Sequence, residues 1–123
     1  EVTNLVVPAW TDDLGMIADM CDWLKKNVGQ DHPVHFSRFS PRYKLTRLAP
    51  TPLPTLVKAR EIALDAGLHH AYVGNAPGLG LEDTYCPGCG RAAIERRGYI
   101  VVANNIENGH CARCGQKIAG VWK

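Results

Sequence analysis

Two hydrophobic periods run along this chain, and between them they predict most of its elements. From residue 14 to 28, Leu14, Ile17, Ala18, Cys21, Leu24 and Val28 recur at helical spacing with polar residues between them. That spacing predicts an amphipathic helix with one apolar stripe. Thr11 or Asp12 can cap its start, Lys25 and Lys26 suit its negative end, and Gly29 is a natural stop. A second helix is expected over "TLVKAREIALDAGL", with Leu56, Ala59, Ala63 and Ala66 on one side and Gly67 closing it. Strand-like runs precede, separate and follow the helices: "TNLVVPAW" (3–10), "PVHFSRFSP" (33–41) and "HHAYVGN" (69–75). "RYKLTRLAPTPLP" has no clean period and carries three prolines, so it reads as a loop.

The order β-α-β-α-β implies parallel pairing through right-handed crossovers. Alternation sets His35 and Ser37 against Val34 and Phe36, and His70 and Tyr72 against Ala71 and Val73. Helices following such crossovers tend to cover one sheet face. The polar face left over is either solvated or the lumen side of an α/β barrel, where ligands bind near the C-terminal strand ends. "APGLGLEDT" (76–84) reads as a linker, and the boundary is expected near residue 80, giving parts 1–80 and 81–123.

Composition narrows the class. With 123 residues, 46% hydrophobic and 21% charged, the chain has room for one ordinary domain or a smaller one plus a mini-module. A net charge of +2 does not by itself argue for nucleic acid, and arginine clusters such as Arg91, Arg96 and Arg97 are usually solvated faces. No apolar run approaches a transmembrane helix and no signal peptide is visible, so a cytoplasmic protein with no membrane partner is expected. The chain opens on Glu1 rather than Met, which reads as a fragment of a longer protein.

The cysteines carry the strongest chemical signal. Cys86 and Cys89 pair with Cys111 and Cys114 as C-x2-C-x21-C-x2-C, and the fifth, Cys21, falls on the helical stripe. Paired knuckles favour a reduced protein with a metal site over disulfides. Gly90 and Gly115 permit the turn in which backbone N–H groups point at sulfur. Four thiolates suit structural Zn²⁺ with no open position for water; tetrahedral iron, as in rubredoxin-like sites, is the alternative. Between the knuckles, "AAIERRGYIVVA" reads as a hairpin turning at Arg97-Gly98, making the tail a zinc ribbon. About 40 residues bury too little apolar surface to hold together alone, so the ion supplies folding energy. His110 reads as a neighbour of the shell.

Together, "LVVPAWTDD", "HFSRFSPRYKL", "PTPLPTLVKAREIALDAGLHHAYVGN" and the tail "CPGCG…GYIV…GHCARCGQKIAGVW" resemble the C-terminal part of the radical SAM enzymes of the AmmeMemoRadiSam group, which are similar to pyruvate formate-lyase activating enzymes. The resemblance implies a partial TIM-type barrel that binds S-adenosylmethionine beside a 4Fe–4S cluster and cleaves it reductively. The resulting radical attacks a protein or small-molecule substrate. It also makes His35, Ser37, Arg38 and Asn75 candidates for lining the cofactor end. Two departures matter. The C-x3-C-x2-C cluster motif is absent, so this chain alone is expected to be inactive and to lack the N-terminal half of the barrel. The activating-enzyme branch also places a cofactor-contacting histidine near the end of the strand equivalent to "HFSRFSP". Here Ser40 occupies that neighbourhood, and His35 lies near the strand's start.

The expected fold is therefore a β-α-β-α-β fragment of a partial barrel followed by a zinc ribbon. Its first strand should present an unpaired edge, and self-association through that edge is expected. Two other readings stand beside the enzyme fragment: a ribbon that docks nucleic acid or a protein partner through its arginines, and a rubredoxin-like electron carrier. Tyr99 is the lone aromatic near those arginines, so nucleic acid is the weaker partner.

Overall fold

A computed structural model describes residues 1–122. The chain divides into two compact units, Glu1–Ala76 and Pro77–Lys123, so the boundary falls at 76/77 rather than near 80.

The first unit runs β1 (Val2–Val6), α1 (Leu14–Asn27), β2 (Val34–Arg38), α2 (Leu53–Asp65) and β3 (Ala71–Gly74). The strands form an open parallel sheet in the order β1-β2-β3, not a closed barrel. Alternation decides its two faces. Val34 and Phe36 on β2 and Ala71 and Val73 on β3 are buried, and they share a face with Ile17, Cys21, Leu24, Leu56, Ala59 and Ala63 of the helices. Packing of α1 on α2, of α2 on β2 and β3, and an Asn4–Met20 contact (Nδ2 to sulfur, 3.6 Å) place both helices on that side. Burying Phe36 alone stabilises the core by about 1.5–3 kcal/mol.

The strands are shorter than the apolar runs that announce them, for local reasons. β1 stops at Val6 because Pro8 has no N–H to pair and Ala9 turns the chain with φ 64°. Neither Thr11 nor Asp12 caps α1; Asp13 does, accepting from Met16 N–H at 2.8 Å. Thr11 serves the sheet edge instead. Val2 N–H bonds to Pro33, so residues 2, 4 and 6 of β1 face β2 and those between face outward. On that outer side the Thr11 hydroxyl donates to Leu5 C=O (2.6 Å) and accepts from Val7 N–H (2.8 Å). The edge is thus closed at its C-terminal end, and no strand pairs with the rest of it among the described residues. Val28, expected on the stripe, is instead the C-cap residue and is exposed.

The second unit contains β4 (Thr84–Tyr85), β5 (Ala92–Arg97) and β6 (Ile100–Asn104) in one antiparallel sheet, then β7 (Ile106–Glu107) paired with β8 (His110–Cys111). The hairpin turns at Gly98-Tyr99, one residue later than expected, because Arg97 pairs with Ile100 and Gly98 takes φ 60°. The core is small: Cys86, Ala93, Cys111 and Ile118, with Ile106 against them.

Candidate metal centre

The two cysteine pairs occupy matching turns. In the first, Gly90 N–H closes on Cys86 C=O at 2.9 Å; in the second, Gly115 N–H closes on Cys111 C=O at 2.8 Å. Gly90 and Gly115 have φ of 69° and 74°, a conformation that a Cβ penalises. Pairing of β5 with β6 and of β7 with β8 folds the intervening 21 residues back, so the turns face each other.

The four sulfurs consequently lie within 4.8 Å of one another. Cys86 and Cys114 are 3.6 Å apart and Cys89 and Cys111 3.9 Å. Sulfurs at 2.3 Å from a tetrahedral ion are separated by about 3.8 Å. The donor set therefore fits one metal ion. Its electrostatics call for a cation as well. Backbone N–H groups of Arg113 and Cys114, with the Cys86 and Cys114 thiols, bring Cys111 down to about 6. Against the Gln116 N–H, which lowers it, burial and the three neighbouring thiols push Cys114 up to about 12. The first negative charge is welcome in this cluster and the last is not. A divalent ion removes that conflict, because each thiolate then faces the metal. His110 stands outside the cluster, with Nδ1 against Asn108 C=O at 2.9 Å. Cys21 is far in character from these four: burial and then the Asp22 charge push its thiol up to about 11.

The residues expected to line a cofactor end are divided by the sheet. His35 and Ser37 sit on the helix-free face of β2, half-buried. His35 stacks on Tyr72 (centroids 5.0 Å apart, planes at 22°), and its buried Nε2 lies 3.5 Å from the Glu1 carboxylate without a hydrogen bond. Ser37 pairs with Gly74, where an added Cβ would sit 3.2 Å from the serine oxygen. Arg38 has the parity of the helix side, and its Nε donates to Thr51 C=O at 3.0 Å. Asn75 follows β3 with φ 59°, and its Nδ2 lies 3.5 Å from Arg38 C=O. The structure thus brings His35 and Ser37 together, and joins Asn75 to Arg38 only through the backbone. His70, expected on the polar face, precedes β3 and is 5% exposed with neither ring nitrogen hydrogen-bonded.

Thr51 carries no sequence signal and proves central. Fully buried, its hydroxyl donates to Val6 C=O (2.5 Å) and accepts from Phe39 N–H (2.8 Å), joining the ends of β1 and β2. No helix among the described residues is long and apolar enough to cross a membrane.

Comparison with known proteins finds a relative in Methanocaldococcus jannaschii, the uncharacterized protein MJ0808, which is 43% identical over 122 residues. The match takes in 96% of this chain and 36% of the relative, so the chain spans little more than a third of that protein's length. No protein-family model matches the chain. No solved structure matches it either.

Proposed function

We propose that this chain is the C-terminal part of a longer radical SAM protein of the AmmeMemoRadiSam group, with its three parallel strands in a partial TIM-type barrel and its tail a zinc ribbon. The observation that supports this reading most is the sheet itself. It is parallel, carries both helices on one face, and bears polar, half-buried His35, Ser37 and Tyr72 on the other. Such a face suits the lumen of an α/β barrel. The additional length of the archaeal relative leaves room for the missing strands and for a C-x3-C-x2-C motif. A motif of that kind in the longer protein would hold a 4Fe–4S cluster, which would supply the electron for reductive cleavage of S-adenosylmethionine. In this chain His35 and Ser37 hold polar groups toward that space, and Asn75 is tied to the Arg38 carbonyl at the strand ends. The four-thiolate site clamps the tail and takes no part in the chemistry.

The test uses the longer archaeal relative, reconstituted anaerobically with iron and sulfide and reduced with dithionite. 5′-Deoxyadenosine and methionine should appear in equal amounts from S-adenosylmethionine, and this chain alone should yield neither. A relative that assembles no 4Fe–4S cluster and cleaves no cofactor would overturn the proposal. For the tail, colourless protein with one zinc per chain supports the zinc assignment, whereas a visible band that bleaches on reduction points to iron. Docking through the ribbon arginines is disfavoured by Arg96, whose guanidinium is held by Glu82 C=O (3.1 Å) and the Thr84 hydroxyl (2.8 Å).

A further inference from the structure

A cleft in the second unit has the chemistry of a ligand site. It encloses about 500 Å³ beside the second knuckle, within the range of small-molecule sites. Among the described residues, its walls carry Trp122, Lys117, His110, Asn104 and Asn108, and no carboxylate side chain.

The aromatic wall is fixed in place. Trp122 is 37% exposed, and its Nε1–H donates to Ile118 C=O at 2.9 Å. Its ring lies against Gly109 and Gly120, where an added Cβ would come within 2.8 and 2.9 Å of ring atoms. Those two glycines let the indole settle on the backbone, and its orientation is set before any ligand arrives. A half-exposed, immobilised indole is a stacking platform for a flat ring. The polar wall is equally specific. Asn104 spends its carbonyl oxygen on Ile106 N–H (3.1 Å), which leaves its amide hydrogens to donate. His110 donates through Nδ1 to Asn108 C=O, which leaves Nε2 as an acceptor. Lys117 is the cation, and it is held at the cleft by the bridge between residues 110 and 117.

We propose that this cleft binds a nucleoside phosphate, with the base stacked on Trp122, the base or sugar edge read by Asn104, Asn108 and His110, and the phosphate on Lys117. The site needs an aromatic ring and an anion in one ligand: the indole selects the first and the lysine-bearing wall the second. It does not depend on the radical SAM reading, since every residue lies in the tail.

The experiment is calorimetric titration of the metal-loaded chain with AMP, adenosine and inorganic phosphate. AMP should bind, and each of the other two should bind about tenfold or more weakly, since each lacks one of the two recognition elements. Lys117→Ala should weaken AMP by about tenfold and leave adenosine unchanged. Trp122→Phe, which keeps an aromatic ring, should weaken both AMP and adenosine, with an unchanged cobalt–thiolate spectrum certifying the fold. Absence of AMP binding at millimolar concentration overturns the assignment. So does AMP binding that neither variant alters. An adenine hexanucleotide that binds where AMP does not would also overturn it, because the site would then read a strand and not a free nucleotide.

Discussion

His70 is a buried imidazole with no hydrogen bond to either ring nitrogen, and its titration follows from that. Burial lowers its pKa below the ordinary 6.5, outweighing the Asp31 carboxylate that raises it; His69 lowers it further. Folded His70 therefore stays neutral at a pH where unfolded His70 takes up a proton. Its contribution to stability is complete above about 6.5 and is lost as pH falls through the folded pKa. Urea unfolding of the first unit, followed by helical circular dichroism, should show a lower midpoint at pH 5.5 than at pH 7.5, and His70→Phe should flatten that difference. An unchanged pH dependence in the variant would remove His70 as its source. Cys21 presents the opposite case, a thiol made inert. Fully buried and pushed up to about 11, it should resist iodoacetamide in the folded chain and react once urea exposes it, as read by peptide mass. Helical spacing was enough to place Cys21 in the core. It was not enough for His70, because alternation gives a face and not what covers it.

Among the elements, the parallel sheet shows where local pattern stops. Both helices and all three strands of the first unit were legible from period, caps and breakers, since each depends on neighbours in sequence. The loop between Arg38 and Leu53 has no period, and the role of its buried Thr51 was invisible. Thr51→Val keeps the shape while leaving Val6 C=O and Phe39 N–H unpaired in the core. The loss should be about 2 kcal/mol by urea denaturation, with little change in m-value. A loss within a few tenths would mean that other groups or water satisfy both. The edge strands carry their own safeguards. Thr11 closes the end of β1, and a bulge interrupts β6 where its pairing with β5 shifts between Glu95 and Arg96. Asp83 holds that bulge by accepting Arg96 N–H at 2.6 Å.

Across the whole molecule, two units stand on different footings. The first has an apolar core shared by a sheet and two helices, whereas the second has little besides two cysteines, three isoleucines and an alanine. Metal removal should separate them. Chelation, or Cys86→Ser, should collapse the amide NMR spectrum of residues 84–118 and leave that of the first unit in place. Uniform loss of dispersion in both would mean that they fold as one. Acid should act in the same direction as chelation, because protons compete with the metal for sulfur: the second unit should lose its metal as pH falls, and zinc release should report it.

The sequence alone determined the β-α-β-α-β order of the first unit, most of its helical core positions and the four cysteines that could hold a metal ion, because periodicity and C-x-x-C spacing are properties of a few neighbouring residues. Only tertiary structure decided which groups the polar residues meet. It bound Arg96 inside the ribbon, left both ring nitrogens of buried His70 without a hydrogen bond, and set Trp122 against Gly109 in a cleft shared with Asn104 and Lys117. Each of those depends on residues far apart in the chain arriving at one place, and no local period encodes that.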